Sequence, residues 1–333
     1  MRTALEGFSG CIVGQALGDA LGFPVEGEPP EVAHLYAHEA LGRRVRAGFA
    51  PLQYTDDTQL ARELLLSLVA CRGFNPEDFA GRIVHQVTSG ALVGGGRTIE
   101  GAVRRLAAGV SWTESGQAGP NAGNGSAMRA APVGMMFHND PRRLVQVAVD
   151  QSRVTHTDPR CLAGSVAVAA TVAALLRGET RDPLVFLPSI AQIVERVDPE
   201  FAEHLVWLVP QMTLPPEEAA AIVGRRGLPT MLHEADWPGV SPFVVPTVLW
   251  ALYSFFRARP EAMFRDSVRT AIAAGGDTDT TAALAGAFAG AVVGVKGLPS
   301  LAKAVHDRGQ WGSEELVGLA NRAGRFALGM TAH

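Results

Sequence analysis

Two pairs of aspartates are the residues of this chain whose type and spacing could do chemistry: Asp56–Asp57 in YTDDTQLA and Asp277–Asp279 in GGDTDTTAA. Each pair has threonines beside it (Thr55 and Thr58, Thr278 and Thr280), and each stands at the entrance to an apolar helical run. A third acidic stretch, GDALGFPVEG, carries Asp19 and Glu26. An Asp or Thr ahead of a helix ordinarily accepts backbone N–H bonds as an N-cap. A cap needs one oxygen, however, and these clusters each supply two carboxylates and a hydroxyl. Neighbouring carboxylates beside a buried helix repel one another and lose hydration, at a cost that a bound cation offsets. Oxygen ligands without His or Cys suit magnesium or manganese rather than zinc or copper. From the residues alone, capping and metal binding both stay open.

The elements that must position these residues read as helices. Thr58–Arg72 places Leu60, Leu64, Leu65 and Leu68 on one stripe, and in Pro76–Val87 the residues Phe79, Ile83 and Val87 recur at intervals of four. Similar patterns cover Pro141–Asp150, Arg160–Arg177, Leu187–Val197, Pro216–Gly224, Val245–Arg257, Glu261–Ala274 and Glu314–Leu328. Many of them follow Pro, Asp, Ser or Thr, which suit a helix start. The uncharged runs Cys161–Leu176 and Thr280–Val295 fall short of the ~20 residues that span a bilayer and read as buried helices. Their Gly and Ala content predicts helices that cross closely at the centre. Arg43–Phe49 is the best strand pattern, and no repeat of fixed period is present. The expectation is an all-α, compact orthogonal multi-helix bundle, one domain over residues 1–333, with Trp250, Tyr253 and Phe255 in its core.

Composition narrows the function. With 47% hydrophobic residues, 19% charged residues and a net charge of −4, the 333-residue chain can bury a large core but offers no basic field for a nucleic-acid backbone. Three cysteines without CxxC spacing argue against a disulfide framework or a structural zinc site. The N-terminal stretch lacks the basic and apolar regions of a signal peptide. A cytoplasmic protein, monomeric and with no membrane partner, is the expectation.

The stretches GCIVGQALGDALGFPVEG, YTDDTQLA, GNGSAMRAAPVG, SRVTHTDP and GGDTDTTAALAGAFAGA stand in the order found in the ADP-ribosylglycohydrolase family, and the chain resembles that family from about residue 7 to about residue 296. The resemblance implies an all-α fold with a central dimetal cleft holding two magnesium ions, or manganese. It makes Thr55, Asp56, Asp57, Asp277, Asp279 and Thr280 metal ligands and gives Glu26 a catalytic role alongside Asp56 and Asp57. Asp19 reads instead as structural, satisfying nearby backbone donors. The glycine- and asparagine-rich loop before a helix suits an anion, and in the family the matching loop wraps the diphosphate and distal ribose of ADP-ribose. Asn121, Gly123, Asn124, Gly125, Ser126 and Met128 are therefore substrate-side candidates, with Arg129 either among them or in a structural ion pair. Gly94 and Gly95, in the triple glycine before Arg97, resemble another family loop beside the substrate, and His156 matches the family's TH motif near adenosine. An aromatic from 241–245 is the candidate to flank adenine.

The implied reaction is hydrolysis of the C1″ glycosidic bond between ADP-ribose and its acceptor. Metals hold the ribose hydroxyls, Glu26 or Asp56 manages protons, and carboxylates face an oxocarbenium-like transition state. The rival readings are a non-catalytic ADP-ribose-binding protein on the same fold and an unrelated two-metal phosphohydrolase.

Overall fold

The computed structural model describes residues 3–120, 122–228 and 237–330. In chain order the helices are α1 (Ala4–Gly22), α2 (Pro30–Leu35), α3 (Asp56–Ala70), α4 (Pro76–Thr88), α5 (Arg97–Ala107), α6 (Ala131–Met136), α7 (Pro141–Arg153) and α8 (Pro159–Arg177). They continue as α9 (Pro183–Val194), α10 (Pro199–Gln211), α11 (Pro216–Val223), α12 (Val244–Phe256), α13 (Met263–Ala273), α14 (Thr278–Val293) and α15 (Ser313–Ala327). Among the described residues there is no β-strand, only isolated bridges such as Gly123–Phe243 and Val240–Gly276. The fold is the expected all-α one. Arg43–Phe49 is not a strand but a series of turns.

The centre is a pair of helices, α1 and α14, lying antiparallel. Gly10, Gly14, Gly18 and Gly22 form one stripe on α1, facing Gly290, Gly286, Ala282 and Thr278 of α14 in that order. A Cβ placed on Gly10, Gly14 or Gly18 would run into a backbone carbonyl of the other helix, and a Cβ on Gly286 or Gly290 would do the same in return. Removing side chains from the contact brings the two backbones together over most of their length. Here the structure corrects the sequence reading, which places no element at 4–22. The C-terminus of α1 comes to rest beside the N-terminus of α14, where Thr278 Oγ1 donates to Gly22 O at 2.9 Å.

Five helices begin in a uniform way. Asn75, Asp140, Asp158, Asp182 and Asp198 each precede a proline, and each turns its side chain onto an N–H of its own first turn. Proline at the first helical position has no N–H to leave unsatisfied, so the pair makes an efficient start. The helix α8 is long and apolar enough to cross a membrane by length and composition, but 78% of that window is buried inside the protein. Trp250, Tyr253 and Phe255 are buried, with Trp250 Nε1 donating to Ala271 O at 3.0 Å.

The glycine contact gives a test with opposite signs at two sites. Gly14→Val should lower the unfolding free energy by about 3 kcal/mol or more, because neither backbone can move away. Gly81→Ala lies in the exposed middle of α4 with nothing near its Cβ position. It should raise stability by about 0.5–1 kcal/mol. Chemical denaturation of the two variants beside the wild type reads both.

Candidate metal centre and substrate cleft

The helices α3 and α14 start differently from those five. Thr55 and Asp277 occupy their N-cap positions, yet neither side chain caps its helix. For α3 the cap comes from α1. Asp19, fully buried, accepts from Thr55 N at 3.0 Å, Thr58 N at 3.1 Å and Thr58 Oγ1 at 2.6 Å, and Thr55 Oγ1 lies 3.0 Å from it. Burial pushes its pKa up to about 7 while those donors pull it down. One turn earlier on the same face, Gln15 donates to Asp57 O at 3.0 Å and Met128 O at 2.9 Å. One stripe of α1 therefore packs on α14 while the next ties down α3, and the two acidic pairs meet across the gap.

Asp277 is placed by a tight turn. Gly275 and Gly276 adopt φ of +70° and +79°. Gly276 N donates to Glu28 O, Gly27 N to Gly276 O, and Asp277 N to Val240 O at 2.7 Å. This seats the α14 entrance directly against the turn after Glu26, and ligand atoms of Glu26, Asp277 and Asp279 lie within 4.8 Å of one another. Across from them, Asp57 Oδ2 is 3.3 Å from both Thr55 Oγ1 and Thr280 Oγ1, joining residues 223 positions apart. Asp57 Oδ1 is buried without a hydrogen-bond partner. Asp56 is beside the Val93 loop, donating its N–H to Val93 O at 2.8 Å. A Cβ on Gly94, whose φ is +85°, would sit 3.1 Å from Asp56 Oδ1.

Asp56, Asp57, Asp277 and Asp279 are all buried. Burial first, and then the neighbouring acids, hold Asp56, Asp57 and Asp279 well above the usual carboxylate range. Burial raises Asp277 too, against hydrogen bonds that lower it. Glu26 is raised by burial and by the charge of Asp277, with Arg46 opposing at 2.9 Å. Positively polarised helix ends help the acids at α3 and α14, but not enough to offset so many charges in one place. The orphaned Asp57 oxygen and the mutual repulsion fit a hard divalent cation, which would complete both.

The Gly–Asn loop packs against the acids from another side. Asn124 N donates to Pro242 O at 2.9 Å, and its Nδ2 donates to Thr247 Oγ1 at 3.0 Å and to Asp277 Oδ2. Gly123 and Gly125 pass over the His156 ring, which an added Cβ at Gly125 would meet at 2.9 Å. Burial depresses His156 to a pKa of about 3, so its ring is neutral. Thr155 Oγ1 accepts from Arg129 Nη2 at 2.8 Å and lies 2.7 Å from His156 Nδ1. Arg129 forms no ion pair among the described residues: it is fully buried and donates to Gly125 O, Gln151 O and Gln151 Oε1. Ser126 is fully buried with its hydroxyl on Cys161 O, and Met128 is buried with its carbonyl on Gln15. Gly95 packs on Leu92. Asn121 lies outside the described residues. Phe243 is half-buried at the bridge to Gly123. The residues that sequence reasoning passed over are Gln15, Arg46 and Thr247. Gln15 alone left a signal, as an amide four residues before Asp19 in a run, 10–22, whose other residues are apolar.

The profile described as ADP-ribosylglycohydrolase matches residues 2–330. An uncharacterized protein of Archaeoglobus fulgidus is 32% identical, over 86% of this chain and 87% of its own. ADP-ribosyl-[dinitrogen reductase] glycohydrolase of Rhodospirillum rubrum is 28% identical (89% and 87% covered), and ADP-ribosylhydrolase ARH3 of Homo sapiens is 26% identical (89% and 88%). A solved structure titled ADP-ribosylglycohydrolase-related protein complex aligns over 98% of this chain and all of its own, with a TM-score of 0.69 and 27% identity. With a profile spanning nearly every residue and the buried acids meeting at two helix entrances, the chain belongs to the ADP-ribosylglycohydrolase family of enzymes.

Proposed function

We propose that the protein hydrolyses the C1″ glycosidic bond between ADP-ribose and an acceptor, releasing ADP-ribose, with two magnesium or manganese ions held by Thr55, Asp56, Asp57, Asp277, Asp279 and Thr280. The observation that carries the reading is the buried, mutually repelling carboxylate set at two helix entrances whose N-cap side chains, Thr55 and Asp277, make no cap bond. Bound there, the ions supply positive charge that compensates the acids and polarises ribose hydroxyls.

The protein's own residues supply the rest. Glu26 is the acid at the edge of the cluster with 28% of its side chain exposed, so it can exchange a proton with solvent and with a bound substrate. Arg46 holds it in place from outside. Asp56 and Asp57, facing the sugar, favour positive charge developing at C1″. Asn124, fixed by Thr247 and Asp277, and the glycines on either side of it present a rigid polar wall for the diphosphate side. His156 stays neutral and can offer a hydrogen bond there without titrating near pH 7. The acceptor lies beyond C1″, and a net charge of −4 disfavours a nucleic-acid carrier.

Free ADP-ribose should appear from an arginine-linked or serine-linked ADP-ribosyl peptide with magnesium present, and should cease with EDTA. Asp279→Ala should lower turnover by about 10³-fold or more while circular dichroism is unchanged. Binding of ADP-ribose without release from either linkage would favour the non-catalytic reading, and release of inorganic phosphate would favour a phosphohydrolase.

The raised carboxyl pKa values set a sign for stability. A group whose folded pKa lies above its unfolded value favours the folded state less as pH rises from about 4 through the folded value. In EDTA, Asp279→Asn should therefore raise the melting temperature at pH 8 by about 2 °C or more, and gain less at pH 5.5. With magnesium the order should invert, wild type above variant. A variant that melts below wild type in EDTA at pH 8 would contradict the repulsion described here.

A further inference from the structure

Three residues into α3 from Asp56, on the same face, Gln59 is fully buried and has every polar atom committed. Its Oε1 accepts from Val93 N at 2.8 Å, and its Nε2 donates to Ala91 O at 2.9 Å and to Asp307 Oδ1 at 2.9 Å. Asp307 is held in turn by Arg62 Nη1 at 2.8 Å. Arg62 is buried, lies over the Trp311 ring and pairs with Glu63 at 3.0 Å. Glu63 accepts from Gln86, whose carbonyl receives Ala91 N and Leu92 N. Arg308 Nη1 reaches Gly90 O at 3.1 Å. Directly or through one another these bonds lead to the strap 90–93, and none of them reaches a carboxylate of the acidic cluster.

The strap leads straight into Gly94. Val93 is gripped on both sides, its carbonyl by Asp56 N and its N–H by Gln59. The next residue turns with positive φ so that its Cα faces Asp56 Oδ1. The helix that carries the acids thus also fixes the height of the glycine loop above them. We infer that Gln59, clamped by Asp307, is a positioning residue that holds the Gly94–Gly96 loop at the distance from Asp56 that the terminal ribose of an ADP-ribosyl substrate requires. This rests on the ADP-ribosyl reading of the cleft. An amide suits the task because the strap offers one N–H and one carbonyl together, and a primary amide accepts at one atom while donating two N–H bonds from another without charge. Displacement of such a loop by about 1 Å is enough to weaken binding without removing any group that touches the reacting atoms.

The test uses magnesium-loaded full-length protein with Gln59→Met, which keeps the volume and loses all three bonds, and Gln59→Glu, which keeps the acceptor towards Val93 N. Hydrogen exchange should quicken by about tenfold or more, confined to residues 90–96. The Kd for ADP-ribose by calorimetry and the KM for an ADP-ribosyl peptide should both rise about tenfold in Gln59→Met, with kcat changed less than about threefold and magnesium affinity unchanged. Gln59→Glu should fall between Gln59→Met and wild type, and it carries the test alone if the methionine variant does not fold. Faster exchange at 90–96 with Kd and KM equal to wild type would overturn the assignment, as would a loss of kcat without a change in KM. Wild-type protein that binds no ADP-ribose would sink the substrate reading itself; wild type that binds with a variant that binds equally well would sink only the role of Gln59.

Discussion

Everything at the acidic cluster depends on the backbone-to-backbone contact between α1 and α14. Four glycines on one helix meet glycine, alanine and threonine on the other, and side chains of ordinary size would hold the axes apart. At that close spacing the end of α1 is level with the start of α14. The face of α1 next to the glycine stripe then carries Gln15 and Asp19 to α3. A pure packing constraint, with no chemistry of its own, thereby brings together acidic pairs about 220 residues apart.

What it brings together is frustrated. Elsewhere in this chain an Asp before a helix is used locally, and the five Asx–Pro starts show how readily that happens. At α3 the capping task is handed to Asp19 from another helix, and at α14 the N-cap residue Asp277 makes no cap bond while Asp279 accepts only the adjacent Thr280 N–H. The acids so freed are buried, crowded and raised in pKa, and one oxygen has no partner. A local conflict of this kind, embedded in an otherwise consistent fold, is the mark of a site whose missing partner is a ligand. Around it Arg129 and Gln59 are each held by several hydrogen bonds, and each fixes one loop beside the acids.

The acidic residues were legible because Asp beside apolar helix sequence is a conflict visible in one dimension, and most outer helices were legible by period. The element on which the site depends was not. The helix α1 is buried all round, so it shows no amphipathic stripe, and its glycines read as breakers rather than as a contact surface. The helices α2, α5 and α10 were likewise missed, and Arg43–Phe49 alternates by chance while forming turns that deliver Arg46 to Glu26. That Asp19 caps α3 was foreseeable in kind but not in partner, since no local spacing links it to Thr55 and Thr58. The Gln59 clamp depends on Asp307, 248 residues away, and left no sequence signal.

The central claim is that the buried acids are protonated or strained alone and are completed by divalent cations. It is tested most directly by calorimetric titration of magnesium, and separately manganese, into chelator-treated protein at pH 6.5, in two buffers of different ionisation enthalpy. The account predicts saturable binding accompanied by net proton release, since ligation draws protons from carboxyl groups held above their usual range. No saturable binding of either ion, or binding with no proton released, would contradict it.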